Sequence, residues 1–364
     1  MNITPKISVV MTAYNAERFI GEAIQSILNQ TFSDFEFIIV DNRSQDGTAR
    51  VVASFKDSRI IFIQNEQNLG QTKALNVGIR KSRTDYVARM DADDVAYPER
   101  LAVQYEFMEN HPDIALVGSA CLDIDENGKS LRVSNVPTDL LAIRCYLLGS
   151  GDLTSWCINH PTVLMRKSAV EDVGFYDEQK SFDGYPQDYA LWRKLSVKFN
   201  LANIARPLMK YRILKRSESK IFFDKSCVYR YQITFEHVAL SLPYLLEREK
   251  IALAEMLEYR AQSFCKEGQN VFKVFDLYFD ATVEKSARSD KAAYFCDQMK
   301  FYYLPKLFLT NKGLAVKEFF RLTVRRPACF FDIRFYRKVM KVLLQSLLPS
   351  RWYGFFTKDV LSYR

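Results

Sequence analysis

Residues 7–48 read ISVVMTAYNAERFIGEAIQSILNQTFSDFEFIIVDNRSQDGT, and this stretch decides the fold. Ile7–Thr12 is a near-continuous apolar run of strand-forming residues. Glu17–Asn29 then carries apolar residues at 19, 20, 23, 24, 27 and 28, the spacing of one helix face. Phe35–Asp41 (FEFIIVD) is a second apolar run. Strand, amphipathic helix, strand is a crossover unit, and the pattern continues outward. A helix through Thr48–Phe55 leads to a strand at Ile60–Gln64, and a helix near Lys73–Arg80 leads to one at Tyr86–Met90. Ile114–Gly118 is a fifth strand, and Glu126-Asn127-Gly128-Lys129 reads as a hairpin turn between two later ones. Apolar runs without alternation, separated by helices, predict a mainly parallel sheet covered on both faces. The expected architecture is α/β, doubly wound and Rossmann-like.

Beyond about Arg216 the texture changes. Tyr231–Phe264 and Phe335–Leu348 carry helical periodicity with few strand signals. The expected division is a catalytic domain at 1–215 and a helical, basic region at 216–364. Composition narrows the chemistry. Apolar residues at 48% and charged residues at 26% of 364 predict a globular chain rather than a disordered one. Seven scattered Cys without a C-x-x-C pair predict neither a disulfide framework nor a zinc knuckle, and place the chain in a reducing compartment. Three His leave little room for a His-built metal site, so any metal must be held by carboxylates. MNITPKISVV is not read as a signal peptide, and no apolar run is long enough to span a bilayer.

Ligands of a doubly wound sheet bind outside the carboxyl ends of its strands. The first strand ends there in Thr12-Ala13-Tyr14-Asn15, the second in Asp41 and D-G-T at 46–48, the fourth in Asp91-Ala92-Asp93-Asp94. Neither G-x-G-x-x-G nor a P-loop follows the first strand, which removes the main support for dinucleotide oxidoreductases and P-loop NTPases. Three carboxylates in four residues repel one another, and Mg²⁺ or Mn²⁺ relieves that repulsion. The bland reading is a solvated turn in which Asp94 caps the next helix, whose first turn holds Pro98 and Glu99. Asp46 is assigned to capping the helix that starts near Thr48, which leaves Asp41 free for a base or ribose. Tyr14 is placed at the rim, where its face would stack on a nucleobase.

Four blocks, residues 7–48 with their D-N-R-S-Q-D-G-T, NEQNLGQTKALNVGI, ARMDADDVAYPERL and GFYDEQKSFDGYPQDYALWRKL, occur in the order seen in inverting family-two glycosyltransferases with the GT-A fold. The chain resembles that family over roughly residues 6–213. The resemblance implies a nucleotide-sugar donor, a UDP-sugar first among them, a divalent cation and a catalytic Asp that deprotonates the acceptor hydroxyl. By position it assigns Thr12, Tyr14 and Asp41 to the nucleotide, Asp91 and Asp93 to ribose and metal, and Asp188 to the general base. Lys73 is a further nucleotide candidate, or a solvated helix lysine. His160, Trp156 and Gln187 are candidates at the acceptor or diphosphate, with a packed strand histidine the alternative for His160. Trp192, one helical turn beyond Asp188, is expected in the core. Two departures stand out. Asn42 and Arg43 replace an Asp and a Gly of the usual second block, and Gln187 replaces the Glu that usually precedes the base. The Q-x-x-R-W of processive members is absent.

The implied chemistry is physically consistent. Glycoside hydrolysis needs two carboxylates because an alkoxy group must be protonated to leave. A nucleoside diphosphate leaves as a stabilised anion, so a metal replaces the acid and one base suffices. A nucleotidyltransferase would show a Gly-rich loop within residues 7–20, which is absent, and a non-catalytic scaffold need not keep both Asp93 and Asp188.

Charge is concentrated at the end. Residues 300–364 hold fourteen Lys/Arg against three acids, while the remainder is slightly acidic. In Phe335–Leu348 an apolar stripe at 336, 339, 340, 343 and 347 lies beside basic residues and aromatics. Such a helix either lies on an anionic membrane surface or packs on the chain's own helical region. Nucleic acid is not an expected partner. The expected setting is the cytoplasm, with a saccharide or lipid-linked acceptor, and with peripheral attachment to the inner face of the membrane in the case where the tail lies on lipid rather than on its own helical region.

Overall fold

The computed structural model describes residues 5–140, 157–180 and 185–214, with positions 143, 147, 229, 232–236 and 238. The chain divides into two units, Met1–Ile233 and Thr234–Arg364, and the described residues lie almost entirely in the first. The basic stripe at 335–348 and Trp156 fall outside the described residues.

The crossover pattern forms as its periodicity predicts. Strands β1 (Ile7–Ala13), β2 (Phe35–Asp41), β3 (Ile60–Gln64) and β4 (Tyr86–Asp91) alternate with helices α1 (Ile20–Leu28), α2 (Thr48–Ser54) and α3 (Gln71–Lys81). They pair in parallel in the order β3-β2-β1-β4. The absence of alternation has its cause here. Val9, Met11, Phe37 and Ile39 face one apolar layer with Ile20, Ile24 and Ile27 of α1, while Val10, Ile38 and Val40 face another with Leu75 and Ile79 of α3. Both faces of the strands are covered, so polar positions would strand unpaired groups on either side.

After β4 the sheet becomes mixed. β5 (Val95–Ala96) and α4 (Arg100–Asn110) lead to a long β6 (Ile114–Ile124) and β7 (Ser130–Val133). β8 (Leu164–Arg166), α5 (Lys167–Asp172), α6 (Gln187–Lys198) and β9 (Asn200–Arg212) follow. β8 runs antiparallel between β4 and β6, β9 runs parallel to β6, and β5 pairs antiparallel with β9. The expected turn forms between β6 and β7, with Gly128 at φ +83° and its N–H donating to the Asp125 carbonyl at 3.0 Å. Strand β6 extends beyond the expected Gly118, because its second half pairs with β9 all the way to Ile124 and Arg212. Among the described residues no helix is long and apolar enough to cross a membrane.

Register fixes the rim. Thr12 pairs with Asp91 and Ala13 with Asp41, so the carboxyl ends of β1, β2 and β4 finish side by side.

Candidate active site

Two loops close over the ends of β1 and β2. Asn15 donates its N–H to Ser44 Oγ and accepts the Gln45 N–H on Oδ1, at 3.0 and 2.8 Å. Asp46 accepts the Thr48 N–H and hydroxyl on one oxygen and the Glu17 N–H on the other. Asp46 is therefore structural, as expected, and these bonds hold its carboxyl below the usual range against the opposing effect of burial. Tyr14 stands 50% exposed on this zippered platform, at the rim where a stacking ring is expected. Thr12 beneath it is half-buried.

Asp41 differs from expectation. It is buried, and its Oδ1 already accepts the Ser44 N–H and hydroxyl at 3.1 and 2.5 Å, with Gln64 Nε2 3.4 Å from Oδ2. Oδ1 is thus committed to the turn after β2, while Oδ2 has only the long Gln64 contact. Asn42 holds the next loop, donating to Asn68 Oδ1 at 2.7 Å and accepting from Asn65 Nδ2 and the Leu69 N–H. An Asp in this position could not make that donation. Arg43, at φ 68°, is exposed.

The acidic cluster follows β4. Ligand oxygens of Asp91, Asp93 and Asp94 all lie within 4.8 Å of one another. Asp94 is buried, accepts the Arg212 N–H on Oδ1 at 2.8 Å, and has no hydrogen-bond partner on Oδ2. It does not cap α4, whose N-cap is Glu99. Burial first, then Asp91, pushes the Asp93 carboxyl up to about 6, and burial with both neighbours raises Asp94 well above its ordinary value. The protein alone holds three negative charges here poorly, and an oxygen-seeking dication suits the donor set.

Asp188 lies half-buried in the first turn of α6, its Oδ1 accepting the Tyr189 N–H at 2.8 Å. Gln187 ties that turn to α3, accepting from the Thr72 hydroxyl at 3.0 Å and donating to Gln71 Oε1. Burial raises the pKa of the Tyr176 phenol, Arg89 opposes the rise, and the charges of Asp188 and Asp91 add to it. His160 starts a short 3₁₀ turn rather than a strand. Its Nε2 is 2.8 Å from the Tyr176 hydroxyl and its ring packs edge-on against the buried Trp192. Desolvation, then Arg89, pushes the imidazole well below its ordinary pKa, so it is neutral at pH 7. Lys73 is exposed on α3, within electrostatic reach of Glu178.

The sequence model of glycosyl transferase family 2 matches residues 8–174. A glycosyltransferase of Methanocaldococcus jannaschii is 36% identical over 239 residues, covering 64% of this chain and 79% of its own length. The chain belongs to glycosyl transferase family 2. Within the family it is also similar to the amylovoran biosynthesis glycosyltransferase AmsE of Erwinia amylovora, 32% identical over 56% of this chain and 75% of AmsE. Crystal structures of S. aureus TarS match 93% of this chain and 91–92% of theirs, with TM-scores of 0.53 and, for the complex with UDP-GlcNAc, 0.56 at 17–18% identity. That likeness confirms the GT-A type of fold.

This family 2 glycosyltransferase also places two residues at its rim that the sequence reading missed. Arg89, inside β4, contacts both oxygens of Asp91 at 2.5 Å. A charged residue within a buried apolar run needs a partner, so YVARMD itself carried the signal. Arg212, at the end of β9, donates from Nε to the Asp93 carbonyl at 2.8 Å and from a terminal nitrogen to Glu22 Oε2 at 2.7 Å. No local pattern announces a contact 119 residues away in sequence.

Proposed function

We propose that the enzyme is a metal-dependent, inverting, non-processive glycosyltransferase. It moves a sugar from a nucleoside-diphosphate donor, a UDP-sugar, to a hydroxyl of a saccharide or lipid-linked acceptor in bacterial surface polysaccharide synthesis. The observation that carries this reading is the acidic cluster at the carboxyl end of a parallel strand, with an unpartnered buried oxygen on Asp94. The named roles of AmsE and of the E. coli O-antigen biosynthesis glycosyltransferase WbnJ, 29% identical over 60% of this chain, support the polysaccharide setting. TarS binding UDP-GlcNAc on the same fold supports the donor class.

In this reading Tyr14 stacks on the base, and Thr12 and the Asp41 turn line the nucleoside. Asp93, with Asp91 and Asp94 around it, would hold Mn²⁺ or Mg²⁺. When bound, the cation supplies positive charge to the departing diphosphate, which removes the need for a protein acid. Asp188 accepts the proton of the acceptor hydroxyl as that oxygen bonds to the anomeric carbon. The bond from that carbon to the diphosphate oxygen breaks with its electron pair leaving on the diphosphate, and attack from the opposite face inverts the centre. The start of α6 suits a base, since the Gln187 tie to α3 fixes its orientation.

The experiment is calorimetry of UDP binding with and without Mn²⁺, in wild type and in Asp93→Asn. Mn²⁺ should strengthen UDP binding in wild type and have little effect in the variant, which loses one ligand and one unit of charge opposite the dication. Equal enhancement in both proteins would reduce the cluster to a charged turn.

A further inference from the structure

We propose that Arg89 is a resident counter-cation of the acidic rim, and that its hold on Asp91 makes capture of a divalent cation depend on a bound diphosphate. The inference rests on reading Asp91, Asp93 and Asp94 as the metal cluster.

The geometry is specific. The Arg89 side chain is 3% exposed and that of Asp91 is 23% exposed, so the pair runs from the interior out to the rim. One terminal nitrogen lies 2.5 Å from Asp91 Oδ2 and the other 2.5 Å from Oδ1. This is the two-pronged arrangement that guanidinium and carboxylate make best. Arg89 Nε is buried without a hydrogen-bond partner, so the polar contacts of this guanidinium converge on Asp91. Arg212 reaches the same loop differently: its main-chain N–H donates to Asp94 Oδ1, while its guanidinium meets the Asp93 main-chain carbonyl. Among the described residues, Arg89 is the cation whose guanidinium pairs with a carboxylate of the cluster.

Two consequences follow for an ion arriving at the free protein. Each oxygen of Asp91 already accepts a guanidinium bond, so the ion has to share those oxygens with Arg89, displace it, or draw on Asp93 and Asp94. A buried positive charge next to the site also repels a dication, and burial weakens the screening that would hide that repulsion at a surface. A diphosphate reverses the balance by bringing its own negative charge and oxygen ligands. Metal and nucleotide should therefore bind as a pair, each strengthening the other by the same factor.

The test is a Mn²⁺ titration of the full chain, followed by electron paramagnetic resonance of the free ion, with and without UDP. Wild type should bind Mn²⁺ weakly alone and at least about tenfold more tightly with UDP. Arg89→Gln, which removes the charge but can still donate one bond to Asp91, should bind Mn²⁺ alone at least about tenfold more tightly than wild type. Its enhancement by UDP should shrink accordingly. Arg89→Lys keeps the charge and should stay near wild type, and Arg89→Met replaces the Gln variant if that one does not fold. The inference is overturned if a folded neutral variant binds Mn²⁺ alone no more tightly than wild type while UDP still enhances binding. A buried pair serving the fold alone gives that result. Wild type that takes up no Mn²⁺ even with UDP would remove the metal reading itself, and this inference with it.

Discussion

Replacing Arg212 by Ala should cost stability and loosen the acidic loop together. The side chain is 3% exposed and spans three segments, the loop after β4, the β6–β7 turn and α1. Its Nε bond to the Asp93 carbonyl, at 2.8 Å, is partly buried and charge-assisted, worth about 1.5–3 kcal/mol. The ion pair with Glu22 is strongly discounted, because that carboxylate is 59% exposed, and contributes about 0.2–1 kcal/mol. Contact with the Phe19 ring at 4.7 Å adds about 0.5–1 kcal/mol. Contacts to the Asp125 and Glu126 carbonyls, at 3.4 and 3.3 Å, are at the limit of hydrogen bonding and add little. The loss should be roughly 2–5 kcal/mol, a large share of a typical domain's margin. Urea denaturation followed by tryptophan fluorescence reads it, and Mn²⁺-dependent UDP affinity should fall in the same variant. Arg212→Lys, which cannot span the three segments, should recover less than half. A loss below about 1 kcal/mol with unchanged nucleotide binding would refute the view of Arg212 as the brace of this loop.

Glu36 is buried in β2, where it accepts from the Ser8 hydroxyl at 2.6 Å and from the Arg83 N–H and guanidinium. Burial alone would raise its pKa, but these bonds together lower it below 4.5. The lowered folded pKa gives stability that is present above pH about 4.5 and lost as pH falls through the folded value. Melting temperature against pH should show that acid-side loss in wild type and a flatter profile in Glu36→Gln. At Gly78, a Cβ would sit 2.4 Å from Val10 Cγ1, because α3 lies directly on β1. Gly78→Ala should destabilise by about 1–3 kcal/mol through overpacking, outweighing the gain of up to about 1 kcal/mol in helix propensity. A stabilised variant in urea denaturation would contradict the close approach.

Legibility in the sequence followed the range of the forces involved. β1 to β4 and the helices between them announce themselves because each strand is buried on both faces, so local apolar runs suffice. The second half of β6 is hidden, since Ser119, Ala120, Cys121 and Asp123 break the apolar pattern and only pairing with β9 makes it a strand. β9 is hidden likewise, with Arg206 and Pro207 in its middle. At the site, Tyr14 and the acidic cluster are readable because chemistry and position coincide at strand ends. The engagement of Asp41 was not. Its Ser44 partner is only three residues on, but a strand-end carboxylate fits a turn and a ligand equally well before the turn is seen. Arg212 is invisible for a different reason: its role exists only once β9 returns beside the loop after β4.

Inverting transfer with Asp188 as base can be read by early-time proton NMR of a UDP-sugar turned over with Mn²⁺. The spectra give the rate and the anomeric configuration of the first-formed product, in wild type and in Asp188→Asn at equal donor occupancy. The product should carry the opposite anomer from the donor's, and the rate should fall on the order of 10²–10⁴-fold in the variant. A product that retains the donor's configuration, or a variant that turns over near the wild-type rate, would contradict that reading.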